Sequence, residues 1–152
     1  MMSEEKVIVK VEKIDSGVKD AKIPKYFSEE AAGFDLYTCE RVRIPAKSTK
    51  LISTGLRMEI PKGFEIQIRP RSGLSLDTKL RIANSPGTID SDYRGEIKII
   101  VENTGSESIK LNKHTRIAQG VIKRVPRAEF LEVKSIDETE RNSGGFGSTG
   151  GM

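Results

Sequence analysis

From residue 64 to residue 69 the chain alternates: Phe64, Ile66 and Ile68 are apolar, while Glu65, Gln67 and Arg69 are polar. A period of two is the signature of a strand with one face buried and the other wet. Similar runs recur at 6–12, 40–44, 49–54, 56–60, 97–102, 108–111, 115–122 and 130–134. Pro45, Pro61-Lys62-Gly63, Ser85-Pro86-Gly87 and Asn103-Thr104-Gly105 separate several of them and read as turns. No window carries a convincing helical stripe, and only 72–79 suits a short helix. Many short strands broken by turns predict an all-β subunit, a β-sandwich, jelly roll or barrel.

With 152 residues the chain is expected to form one domain and to bury roughly two-thirds of its unfolded surface. The 26 basic and 22 acidic residues leave a charge of +4, too mild and too scattered to predict a nucleic-acid face. A polyanionic small molecule is still favoured if a few arginines converge on one cleft. Cys39 is the only cysteine, which excludes an intrachain disulfide and a cysteine-based metal site. The opening MMSEEKVIVK lacks the apolar core of a signal peptide, and no apolar run approaches the ~20 residues of a membrane span. The expectation is a cytoplasmic protein with no membrane partner. Residues 141–152 differ in kind: they are Gly-rich, Phe146 is their one large apolar residue, and they are expected to form a flexible segment after a 1–140 body.

Several segments have chemistry to offer. In GTIDSDYRGEI (87–97) Asp90 follows apolar Ile89, so the two side chains of a strand would point to opposite faces. Ile89 can face a core and Asp90 a cleft, with Tyr93 nearby. A carboxylate and an aromatic so placed suit activation of a water and packing against a flat or sugar-like ligand, or else an acidic hairpin turn. In PRSGLS (70–75) Arg71, Ser72 and Gly73 offer a guanidinium fork, a hydroxyl and a close backbone approach, which suits phosphate oxygens. Ser72 as a plain helix cap is the alternative. Asp35 lies in a mostly apolar run, able to assist a hydrated metal ion or to cap a turn. Gln119 is the interior polar group of RIAQGVI (116–122), read as a satisfied buried amide of a core strand, and His114 reads as an exposed loop residue. The tail matches G-x-G-x-x-G at Gly145, Gly147 and Gly150, but that pattern needs a strand before it and a helix after it, neither of which is expected here, and Gly151 stands where a P-loop needs Lys.

AAGFDLY (31–37), PRSGLS (70–75), GTIDSDYRGEI (87–97), RIAQG (116–120) and RNSGGFGSTG (141–150), in this order, resemble the five motifs of the trimeric dUTPase family. The resemblance spans nearly the whole chain, and its third and fifth segments are the most specific. It implies a jelly-roll subunit, a homotrimer with shared active sites, and hydrolysis of dUTP to dUMP and pyrophosphate with Mg²⁺. That reaction would limit uracil in DNA and supply dUMP for thymidylate synthesis. By residue match Asp90 resembles the general base that activates water for attack on the α-phosphorus. Tyr93 resembles the residue stacked on deoxyribose, where a 2′-hydroxyl would clash. Asn84 and the backbone of the 82–93 hairpin, with Gly87 and Ile89, match the uracil site. Arg71, Ser72, Gly73, Gln119 and Arg141 resemble the phosphate contacts. Phe146 resembles the lid aromatic, Gly147 and Ser148 accompany it as substrate-binding residues, and Asp35 matches the acid that holds Mg²⁺ through water.

Three departures stand out. His114-Thr115 replaces the usual Gly-Asp before the fourth motif, so a differently built turn is expected there. Asn142 replaces a common Gly, a change that Asn accommodates because it tolerates φ > 0. Ser75 stands where Ala is commoner, with no expected effect. Two rival functions compete. The related dCTP deaminases place a Glu about ten residues beyond the matching Asp, whereas this chain has Ile100 there. A dUTPase-like regulatory protein that has lost catalysis is opposed by the intact Asp90, Arg71, Arg141 and Phe146.

Overall fold

The computed structural model describes residues 5–148 and Gly150. Its strands are β1 (Lys10–Lys13), β2 (Lys25–Tyr26), β3 (Phe34–Tyr37), β4 (Val42–Ile44), β5 (Thr49–Glu59), β6 (Phe64–Arg69), β7 (Leu80–Ile82), β8 (Gly87–Ile89), β9 (Glu96–Asn103), β10 (Ile109–Leu111) and β11 (Arg116–Arg124). The one short helix among the described residues, α1 (Ser72–Asp77), follows β6. Every strand pair is antiparallel.

Alternation decides which face is buried. Along β9 the side chains of Ile97, Ile99, Val101 and Asn103 are buried while Lys98 and Glu102 face out. β9 sits inside a four-stranded sheet ordered β1-β5-β9-β7, and β6 sits inside a five-stranded sheet ordered β2-β3-β11-β6-β8. Ile52, Leu56, Ile97, Ile99 and Val101 of the first sheet share one core with Leu36, Ile66, Ile68 and Ile117 of the second. Each such side chain contributes about 1.5–3 kcal/mol by leaving water. β4 and β10 form a separate two-stranded ribbon that closes one side with Ile44 and Leu111. The architecture is the expected all-β jelly-roll type of subunit. Asn103 is fully buried yet satisfied: its amide donates to the Ile44 and Glu107 carbonyls and accepts from the Gly105 N–H.

Several local expectations change. The runs at 49–54 and 56–60 are one strand, β5, whose register against β9 slips between Ser53 and Arg57. Residues 34–37 form β3, buried at all four positions; a strand covered on both faces shows no alternation. Segment 130–134 is not a strand: Phe130 and Leu131 are 95% and 83% exposed and have no neighbouring sheet to join in the single chain. Segment 82–93 is not a paired hairpin either. β7 pairs with β9 while β8 pairs with β6, so the chain crosses from one sheet to the other there. The turn before β11 has φ 65 at His114, the left-handed region that glycine adopts most freely. His114 is half-buried rather than exposed, and its Nε2 donates to the Asp20 carbonyl at 2.8 Å. Asn142 takes φ 46, as its tolerance for that region allows.

Candidate active site

Three groups of candidate residues lie in three places. The first gathers at the end of β6 that points to α1. Asp35 on β3 and Arg69 on β6 both stand opposite Gln119 of the central strand β11, so the register alone brings the first, second and fourth motifs together. Asp35 is buried, and its carboxylate is shared by two arginines: Arg71 Nε lies 3.1 Å from Oδ1 and Arg116 Nη1 4.0 Å from Oδ2. Arg71 also reaches the Arg116 carbonyl at 3.5 Å. Two guanidinium groups against one carboxylate leave the cluster with an excess positive charge at a partly open surface, the electrostatics of an anion site. Gln119 donates from Nε2 to the Pro70 carbonyl at 2.9 Å, which leaves its Oε1 beside Gly33. A Cβ on Gly33 would collide with that oxygen, so any larger residue there would have to push the Gln119 side chain aside.

Ser72 and Gly73 are the first two residues of α1 and both are exposed. The helix cap is Arg71, without a side-chain cap bond, so the reading of Ser72 as an ordinary cap does not hold and its hydroxyl stays available. Arg116 and Gly33 were not singled out as site residues from the sequence, although both lie within the matched segments.

The second group sits at the other end of β6. Ile89 pairs with Ile66 and is buried, while the next residue, Asp90, is exposed, as alternation requires. Asp90 separates two clefts. One of about 330 Å³ is lined by Asp90, Tyr93, Thr88, Leu51, Lys98 and Ile100, and the other, of about 400 Å³, by Asp90, Asp92, Glu65, Lys62 and Arg127 among others. Tyr93 is 45% exposed, with its hydroxyl donating to the Glu96 carbonyl at 2.8 Å. Gly87 is buried beside Asn84, whose exposed side chain lies at the crossing between the sheets.

Asp90 extends past the Ile89–Ile66 pair towards Phe64, level with Glu65, whereas Arg71 lies beyond Arg69. Six residues of extended chain place the two about 20 Å apart. Within one chain the carboxylate and the arginine cluster therefore do not meet.

The third group is the tail. Its hydrogen bonds among the described residues are local and reach back no further than Thr139, which exchanges two bonds with Asn142; Arg141 Nε donates to the Gly144 carbonyl at 2.6 Å and the Gly145 N–H to Ser148 Oγ at 2.7 Å. Phe146 is fully exposed, and Gly147 follows it at φ 80. None of Arg141, Phe146, Gly147 or Ser148 is brought to Asp90 or to Arg71 by these bonds. Thr149 and Gly151 lie outside the described residues.

A family model for dUTPase matches residues 19–150. The chain belongs to the dUTPase family. The deoxyuridine 5'-triphosphate nucleotidohydrolase of Wolinella succinogenes is 54% identical over 131 residues, which are 86% of this chain and 88% of the relative. That of Nautilia profundicola is 51% identical over 142 residues, covering 93% of this chain and 98% of the relative. Among solved structures, the Staphylococcus bacteriophage 80alpha dUTPase with dUPNHPP superposes with a TM-score of 0.85 at 26% identity, covering 94% of this chain and 98% of that one. The family match, residues 19–150, runs through all five of the segments singled out in the sequence.

Proposed function

We propose that the chain hydrolyses dUTP to dUMP and pyrophosphate in active sites shared between three copies of itself. The observation that carries this reading is the distance between Asp90 and the Arg71–Asp35–Arg116 cluster. The groups needed to activate water and to neutralise phosphate lie at opposite ends of β6, so a complete site takes them from different copies. The family membership supports the substrate. The relatives are nucleotidohydrolases of dUTP, and the phage enzyme holds dUPNHPP, whose bridging NH replaces an oxygen of the triphosphate chain.

In this reading the uracil edge pairs with Asn84 and the backbone around Gly87 and Ile89. A site built for one hydrogen-bonding pattern leaves its own groups unpaired when cytosine enters, which excludes dCTP strongly. Tyr93 packs under the deoxyribose. Asp90 accepts a proton from water as the water oxygen bonds to the α-phosphorus, and the bond to the bridging oxygen breaks to release pyrophosphate. Arg71, Ser72, Gly73 and Gln119 of a second copy hold the phosphates, and the 141–152 segment, through Arg141, Phe146, Gly147 and Ser148, closes over the nucleotide and excludes water. Phosphoryl transfer needs positioning and charge neutralisation rather than a covalent nucleophile, so this residue set suffices.

No group of three or more His, Cys, Asp or Glu side chains converges among the described residues. Beside the arginine cluster stands one carboxylate, Asp35, and a single carboxylate suits outer-shell contact with a hydrated Mg²⁺ held mainly by the triphosphate, not direct ligation. Asp35 would meet that ion through its water shell, and the ion would spread the charge of the phosphate oxygens. The exposed Phe130, Leu131 and Ile136 support contact with another copy, since a chain acting alone gains nothing by leaving them in water. The reading extends to a cytoplasmic enzyme without nucleic-acid or membrane partners, acting on the dUTP pool to keep uracil out of DNA and to supply dUMP for thymidylate synthesis.

The test is release of pyrophosphate and of ammonia from dUTP, dCTP and UTP with Mg²⁺. Pyrophosphate from dUTP alone is expected. Ammonia from dCTP would make the chain a deaminase, and no product from any of the three would make it a binding protein.

A further inference from the structure

The turn that carries Asp90 and Tyr93 is gripped from behind by a strand that contributes none of the residues assigned above. β5 slips against β9, so Ser53 stands opposite Lys98 but Arg57 stands opposite Glu96. Across that bulge, side-chain bonds take the place of the ladder. Thr54 Oγ1 donates to the Ile97 carbonyl at 2.5 Å, the Gly55 N–H to Glu96 Oε2 at 3.2 Å, and Arg57 Nε to the Arg94 carbonyl at 2.8 Å. Bulges commonly re-aim a side chain in this way beside a functional site. Arg57 also pairs with Glu12 at 3.6 Å, but that pair is exposed and adds little.

The carbonyl that Arg57 holds belongs to Arg94, whose own side chain braces the turn. Arg94 Nη1 donates back to the Ser91 and Tyr93 carbonyls at 2.6 and 3.2 Å, and the Tyr93 N–H donates to the Asp90 carbonyl at 3.2 Å. The Tyr93 phenol occupies the space that a Cβ on Gly95 would need, and its hydroxyl is tied to Glu96. The ring therefore rests on the backbone of 94–96. No ladder supports residues 90–95, because β8 ends at Ile89 and β9 begins at Glu96. A charge-assisted bond to a turn carbonyl is strong and directional, and it replaces the missing ladder.

We propose that Arg57 is a positioning residue for this turn: its guanidinium fixes the Arg94 carbonyl, and through it the plane of Tyr93 and the exclusion of a 2′-hydroxyl. The proposal rests on the assignment of Tyr93 to the sugar. Its test compares kcat/KM for dUTP and UTP in the unmodified protein, Arg57→Ala and Arg57→Lys. Arg57→Ala narrows the dUTP/UTP ratio about tenfold, and Arg57→Lys, which retains one donor for the carbonyl, restores most of it. A role confined to stability lowers both substrates by one factor and leaves the ratio alone, and that result overturns the proposal. If the unmodified protein already treats the two nucleotides alike, the sugar role of Tyr93 fails first. A ratio that is large in the unmodified protein and unchanged in Arg57→Ala removes Arg57 alone.

Discussion

Gly33→Ala acts on the proposed phosphate-binding side of the site through its neighbour Gln119, without replacing any residue assigned to the reaction. The new methyl would overlap Gln119 Oε1, and Gln119 Cβ lies 3.3 Å away, so the side chain must swing out. Doing so breaks its bond to the Pro70 carbonyl. Losing that bond and leaving a half-buried carbonyl unpaired costs about 1–3 kcal/mol. Gly33 is not in the left-handed region, so alanine introduces no backbone strain and instead gains about 0.4–1 kcal/mol from a less flexible unfolded chain. The balance is a loss of about 1–2 kcal/mol, read as a lower urea midpoint at fixed protein concentration. Because Gln119 is a proposed phosphate contact, KM for dUTP should rise several-fold with a smaller change in kcat. In a Gln119→Ala background the same Gly33→Ala change should be near neutral, since the obstructing oxygen is gone and only the 3.3 Å contact with the residue-119 Cβ remains. Equal losses in the two backgrounds would refute the argument.

Asp90→Asn should abolish turnover while dUPNHPP still binds in calorimetry, because the amide keeps the shape but accepts no proton. Ile99→Ala should lose about 2–5 kcal/mol in chemical denaturation, as Ile99 is buried in the shared core. Burial raises the Cys39 thiol above its ordinary 9.0, so the folded state holds that proton more tightly than the unfolded one. The associated stability is complete below the unfolded value and is lost as pH rises through the folded one. Melting temperatures measured from pH 8 upwards should therefore fall less steeply in Cys39→Ala than in the unmodified protein.

The β class was legible because β6 and β9 alternate in the sequence as they do in the fold. β3 was not, since Phe34, Asp35, Leu36 and Tyr37 are all buried and show no period. The run at 130–134 misled for the opposite reason: its apolar residues suit burial, yet a single chain supplies nothing to bury them against. Asp90 could be aimed from its neighbour Ile89 alone. The pairing of Arg71 and Arg116 with Asp35 could not, because it depends on β11 lying between β3 and β6. The Gly33–Gln119 contact was hidden likewise, as residues distant in the chain meet only through strand register.

The shared site is tested by mixing two damaged chains. Asp90→Ala lacks the proposed base and Arg71→Ala the proposed phosphate fork, so the proposed trimers of either chain should be nearly inactive. After the two are unfolded together and refolded at equal amounts, a site whose base comes from an Arg71→Ala chain and whose arginine comes from an Asp90→Ala chain is complete. Random assembly makes about a quarter of the sites complete, and dUTP hydrolysis should recover to about that fraction of the unmodified level. No recovery, with mixed trimers demonstrated by native mass spectrometry, would mean that Asp90 and Arg71 serve one nucleotide from the same chain.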